Sequence, residues 1–156
     1  MRVATWNVNS VTARLPRVLE WLGANKPDVV ALQELKCTDA AFPLQPIQDL
    51  GYEVASHGTG RWNGVALLSR VGLVDVTRGL VEQPQYEGAD EPRAIGATCG
   101  GVRIWSVYVP NGREPGHDHY NYKLTWFAAL QETIAMELAA APDLPLAIIG
   151  DYNVAP

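Results

Sequence analysis

The sequence predicts an α/β fold in which buried strands deliver polar side chains to one sheet edge. Three observations carry this reading. Apolar runs over residues 2–6, 28–33 and 146–150 each end in a polar tip: Asn7, Glu34, and the pair Asp151 and Asn153. A segment with helical spacing separates the first two runs, so β-α-β with a parallel pair is the economical connection. In open α/β sheets ligands bind beyond the carboxyl ends of the strands, so these tips are expected on the rim of one site.

Composition bounds the answer. The 156 residues are 47% hydrophobic and 19% charged, which is globular rather than disordered and enough for one domain with a real core. No apolar run approaches the ~20 residues that span a bilayer. The N-terminus is already strand-like and lacks the apolar core and cleavage site of a secretion signal, so a cytoplasmic protein is expected. Cys37 and Cys99 have no metal-type spacing and read as free thiols. Twelve basic against seventeen acidic residues, net −5, does not advertise a nucleic-acid binder. It does not exclude one, because carboxylates gathered around a metal contribute to that balance.

In chain order, residues 2–6 form a strand and Asn7 to Ser10 the turn at its end. Val11, Leu15, Val18, Leu19 and Leu22 lie on one arc of a helix, which tolerates Pro16 only in its first turn and ends between Gly23 and Pro27. Residues 42–50 are a short helical or irregular piece before a strand at 52–56. A glycine-rich loop at 57–63 carries Arg61, Trp62 and Asn63. Strands at 64–69, 73–77, 94–98 and 102–109 make a β-rich middle, and 82–92 is expected as an exposed loop. After a polar loop at 111–120, a helix from 121 to about 140 is expected to bury Leu124, Phe127, Leu130, Ile134 and Leu138. Trp21, Trp105 and Trp126 read as core or helix-face residues.

Hard divalent cations take oxygen ligands, usually one or two carboxylates completed by water and substrate phosphate. Carboxylates and amides at strand tips, without clustered Cys or His, match that preference and point to metal-assisted phosphoester chemistry. The competing reading is that each residue is a turn former or helix cap at a strand end. His117 and His119 flank Asp118, but a transition-metal site needs three or four converging ligands, so a solvated loop is expected there.

Thr5-Trp6-Asn7-Val8-Asn9, Leu32-Gln33-Glu34-Leu35-Lys36, Gly64-Val65-Ala66-Leu67-Leu68-Ser69, Tyr108-Val109-Pro110-Asn111-Gly112 and Gly150-Asp151-Tyr152-Asn153-Val154-Ala155-Pro156 resemble, in order and spacing, the motifs of exonuclease III type abasic-site endonucleases. These belong to the endonuclease/exonuclease/phosphatase superfamily. The resemblance covers the whole chain and about the first three-fifths of a family member. It implies a four-layer α/β sandwich, two mixed sheets face to face with outer helices, and a single incomplete domain over residues 1–156 truncated at the C-terminus. The last strand would begin a sheet that the chain does not complete.

By the same resemblance, Glu34 binds Mg²⁺, for which Mn²⁺ can substitute, with Asn7, Asp151 and Asn153 as further metal-side residues. Asp151 acts as general base or metal-side carboxylate, Asn153 orients water or phosphate, and Tyr108 lies against the scissile phosphate. Asn111 and Arg113 contact phosphates of the DNA; independently of the resemblance, Arg61 and Trp62 in their glycine-rich loop read as contacts to a DNA backbone and a sugar or base face, the alternative being a buried Trp62 that closes the sandwich. Hydrolysis of a phosphodiester needs a Lewis acid, an activated water and donors for the equatorial oxygens, which this set supplies. The implied activity is Mg²⁺-dependent cleavage at abasic sites with 3′-5′ exonuclease and 3′-phosphatase action. The implied partner is double-stranded DNA with abasic or 3′-blocked ends, with no membrane and a monomer in the complete protein. The family's closing Ser-Asp-His motif is absent, so nicking of abasic DNA by residues 1–156 alone is expected to be undetectable. The alternatives are an inactive half, or a superfamily phosphoesterase acting on inositol phosphate, sphingomyelin or RNA.

Overall fold

The computed structural model describes residues 1–154. Its first sheet contains β1 (Val3–Asn7), β2 (Val29–Gln33), β3 (Glu53–His57) and β4 (Val65–Ser69), in the order β1-β2-β4-β3. The second contains β5 (Val74–Arg78), β8 (Ala94–Cys99), β9 (Val102–Tyr108) and β10 (Leu146–Asp151), in the order β10-β9-β8-β5, while β6 (Gln85–Tyr86) and β7 (Ala89–Asp90) form a small hairpin. The two parallel pairs are β1 with β2 and β10 with β9. Each follows a helix: α1 (Val11–Asn25) leads into β2 and α3 (Asp118–Ala140) into β10, with the short α2 (Leu44–Gln48) before β3.

The near-continuous apolarity of the strands follows from burial on both faces. Alternation sends Val29, Ala31, Val65 and Leu67 inward, where they meet Ile95, Ala97, Cys99 and Ile104 of the second sheet. It sends Val30, Leu32 and Leu68 outward against Val11, Val18 and Leu22 of α1. On the far side Trp105 and Val107 pack against Tyr122, Trp126 and Leu130 of α3. Helix, sheet, sheet, helix: this is the four-layer sandwich that the motifs imply.

Several expectations need correction. Pro16 lies in the second turn of α1, not the first; it is exposed, so the lost hydrogen bond falls on the solvent side. The expected loop at 82–92 contains the β6-β7 hairpin, turned through Glu87 and Gly88, both at positive φ as a two-residue type I′ turn requires. Helix α3 begins at Asp118, because the His117 ring accepts a hydrogen bond from the His119 amide and caps it there. Its buried face runs through His119, Tyr122, Trp126, Ala129, Leu130 and Thr133, whereas Leu124 and Leu138 are 52% and 46% exposed. Both stripes have helical spacing, and the sheet selects the one that offers Trp126. Finally, β10 does not start a sheet of its own but adds to β9, as an edge strand lying against the edge strand β1 of the facing sheet. That adjacency brings Asn7 and Asp151 together. No helix among the described residues is long and apolar enough to cross a membrane.

Candidate active site

The site is assembled where β1, β2, β9 and β10 end together. The parallel register pairs Asn7 with Gln33 and Tyr108 with Asp151, so the four strand tips finish level. Beyond β2 the chain turns sharply: Glu34 and Lys36 have φ of +55° and +53°, and Asn9 and Ser10, across from them, +44° and +84°. Non-glycine residues hold such φ values only when the surroundings over-determine them, and they cluster at functional sites. Here the surroundings are backbone bonds from Val8, Ser10 and Val11 to the carbonyls of Gln33, Glu34 and Leu35, at 3.0, 2.7 and 3.0 Å.

The centre of the site is a carboxamide clasped by two carboxylates. Asn7 Nδ2 donates to Glu34 Oε1 and to Asp151 Oδ2, both at 2.8 Å. Two acceptors require the nitrogen on this side, so Asn7 Oδ1 faces away and accepts from the Asn9 amide at 3.1 Å. In this arrangement Asn7 presents donors to the two carboxylates and spaces them. The Tyr108 hydroxyl donates to Glu34 Oε1 at 2.9 Å, and Lys36 Nζ stands 3.1 Å from Glu34 Oε2. Asp151 Oδ1 accepts from the Asn153 amide at 2.9 Å, an Asx-type turn that folds the tip of β10 back on itself. Asn153 Nδ2 donates to the Val109 carbonyl at 2.8 Å, which turns its Oδ1 to the rim.

Burial alone would raise the Glu34 carboxyl, but hydrogen bonds from Asn7, Lys36 and Tyr108 and the Lys36 charge outweigh it and hold the pKa below the usual 4.5. The carboxylate thus favours folding above pH 4.5, and that contribution disappears as pH falls through the lower folded value. The difference in unfolding midpoint between the wild type and Glu34→Gln should therefore shrink on acidification below pH 4.5; a difference constant through that range would show that Glu34 is not held in this way. Tyr108 is pushed the other way, up to about 12, by burial and then by its bond to Glu34 and that carboxylate's charge. It remains a hydrogen-bond donor at neutral pH.

The remaining expected site residues lie further out. Asn111 is exposed; its Oδ1 accepts from the Arg113 amide at 2.8 Å, and Arg113 Nη1 lies 3.0 Å from His117 Nε2. The guanidinium of Arg61 lies over the Trp62 ring, 5.6 Å from its centroid, and Trp62 is 65% exposed. No hydrogen bond among the described residues joins Arg61 or Arg113 to Glu34 or Asp151, but the Arg61 loop is tied to the site. The Asn63 and Gly64 carbonyls accept from the amides of Lys36 and Leu35 at 2.9 and 3.1 Å. The solvated-loop expectation is corrected for His119, which is buried against Tyr86 and Tyr122 with Nδ1 2.5 Å from the Asn111 carbonyl. Cys37 is a free, half-buried thiol pushed up by burial and by Asp39, which suits no nucleophilic role.

Two supporting residues escape a reading of the sequence. Arg93, only 4% exposed, lies over the Tyr108 ring 4.8 Å from its centroid, donates to the Tyr108 carbonyl at 3.2 Å and pairs with Glu91 at 2.6 Å. Its one signal was a cation opening an apolar strand. Lys123 donates to the Asn153 carbonyl at 2.6 Å, and nothing in helix periodicity announces that.

Two clustered carboxylates, a hydroxyl held as a donor and the Asn153 amide oxygen make a hard-oxygen rim. Among the described residues no three His, Cys, Asp or Glu side chains gather.

Comparison with known proteins places the chain among nucleases. The chain is 30% identical over 161 aligned residues to exodeoxyribonuclease III of Haemophilus influenzae, covering all of this chain and 58% of that protein. A 3′ phosphatase from Neisseria, solved with a product DNA hairpin, superposes with a TM-score of 0.91 at 39% identity, covering 100% of this chain and 59% of that one. An AP endonuclease from Archaeoglobus fulgidus does so with a TM-score of 0.85 at 35% identity, covering 100% and 58%. The chain thus spans less than two thirds of the length of each. With a family model matched over residues 4–156 and relatives of the exonuclease III type, the chain belongs to the endonuclease/exonuclease/phosphatase family.

Proposed function

We propose that these residues form the cation- and phosphate-binding part of a DNA-repair phosphodiesterase that cleaves 5′ to abasic sites and trims blocked 3′ ends. The observation that carries this is the clasp of Asn7 by Glu34 and Asp151, with Tyr108 on Glu34, because it gathers strand tips from both sheets onto one rim. Glu34 and Asp151 would hold Mg²⁺ or Mn²⁺: two carboxylates sharing one amide donor repel, and a hard cation with its waters relieves that. The cation would supply a Lewis acid at the phosphate. Asp151 takes a proton from the attacking water, Asn153 Oδ1 orients that water, and Tyr108 offers a hydroxyl that stays protonated. Asn111, Arg113 and Arg61 bear on flanking phosphates.

The choice of DNA over a lipid or RNA rests on Arg61 and Trp62, an exposed indole beside a guanidinium in a loop anchored to the site, and on relatives named for DNA. Base–aromatic stacking contributes ~1–3 kcal/mol per base, so Trp62→Ala should weaken binding of an abasic-site duplex about tenfold or more. Fluorescence anisotropy in Mg²⁺, with poly(A), phosphoinositide and sphingomyelin vesicles as competitors, checks both points. Preference for any competitor over the duplex would overturn the substrate class.

A further inference from the structure

The middle of the seam between the two sheets is apolar, and its layer directly below the site is polar. There Gln33 and Ser106, 1% and 0% exposed, face each other, and Gln33 Nε2 donates to Ser106 Oγ at 3.1 Å. Ser106 Oγ donates in turn to the Leu32 carbonyl at 3.2 Å, and Thr5 Oγ1 donates to Gln33 Oε1 at 3.2 Å. One amide thus joins β1, β2 and β9. An apolar side chain of equal volume would satisfy packing, so burial alone does not explain a carboxamide here. Its position suggests an explanation. Gln33 directly precedes Glu34, and Ser106 stands two residues before Tyr108 on the same face of β9. Apolar contact between two sheets is non-directional and leaves small slides and rotations cheap, whereas hydrogen bonds prefer near-linear geometry and forbid them.

We infer that Gln33 is a positioning residue: its amide pins the first sheet to the second, so that Glu34 from one meets Tyr108 and Asp151 from the other. The inference rests on the proposed role of Glu34 and Asp151 as cation ligands. It assigns Gln33 no contact with cation or substrate. It acts as partners behind metal ligands do, where loss of the partner lowers metal affinity by about 10–100-fold.

Gln33→Met tests it. Methionine has similar length and no amide; Ser106 keeps its bond to Leu32 and Thr5 can turn to water, so no buried group is stranded. Residues 1–156 carrying this change should melt like the wild type, yet bind Mn²⁺ about tenfold more weakly by water-proton relaxation. The amides of Leu35 and Tyr108, at the strand tips, should exchange with solvent faster while those of mid-strand Ala31 and Ile104 do not. Unchanged Mn²⁺ affinity in a variant that melts like the wild type would overturn the inference, as would a lower melting point with uniform loss of amide protection. If Gln33→Met does not fold, Ser106→Ala, which removes the acceptor on the second sheet, must show the same selective weakening. Failure of the wild type to bind Mn²⁺ would defeat the proposed function instead. Hydrogen exchange would then decide the pin by itself, with selective loosening of the strand tips supporting it and its absence refuting it.

Discussion

Replacing Glu34 by glutamine is expected to remove divalent-cation binding while leaving the fold in place. The carboxamide oxygen can still accept from Asn7 and Tyr108, which both bond Oε1 in the native protein. Its amino group then faces Lys36, whose side chain is 28% exposed and free to turn to water. The stability cost at neutral pH should be about 1 kcal/mol or less. The electrostatic loss is larger. A unit charge ~4 Å away in a partly buried site acts with roughly 4 kcal/mol on each charge of a cation, and one of two carboxylates is gone. A drop in Mn²⁺ affinity of ~100-fold or more follows, beyond the 10–100-fold seen for partners behind the ligands. Relaxation titration and thermal unfolding on the same preparation separate the two effects. Mn²⁺ binding that survives the change would move the cation away from this rim.

The largest loss of stability is expected from Gly150→Ala. A Cβ built on Gly150 would lie 1.9 Å from the carbonyl oxygen of Val107 and 2.8 Å from its carbonyl carbon and nitrogen, with φ at +149°. Those atoms are backbone of the neighbouring strand and cannot swing aside. Strand β10 would have to peel from β9, giving up part of a six-residue parallel register and displacing Asp151, which comes next. Over-packing and backbone strain together put the cost at about 3 kcal/mol or more. Gly23 is the matched control. It lies inside α1 with nothing within 4 Å of its would-be Cβ, so Gly23→Ala should be neutral or stabilise by ~0.5–1 kcal/mol. Urea unfolding of both variants checks the contrast, and a Gly150→Ala protein as stable as the wild type would refute it.

The elements of the fold are largely legible in the chain because its local signals agree. The β-α-β start, the polar tips Asn7, Glu34 and Asp151, and the strands of the middle all follow from apolar runs with turn chemistry at their ends. Where reading failed, two arrangements had equal local support. Helix α3 carries two stripes of helical spacing, and only the outer face of the second sheet selects the one with Trp126. Residues 82–92 look polar and loop-like because a two-stranded hairpin with one face against α3 needs few apolar side chains.

The candidate site divides the same way. Which residues stand at strand ends is a matter of sequence, since periodicity and the turn after each run determine it without reference to the rest of the chain. How those ends act on one another is not. That Asn7 offers its amide nitrogen to Glu34 and Asp151, that Tyr108 donates to Glu34, and that Arg93 lies over Tyr108 depend on two sheets stacked with β1 against β10. The reason is physical: a strand's pattern is written over two residues of repeat, whereas the bond from Asn7 to Asp151 spans 144 residues and exists only once the sandwich has closed.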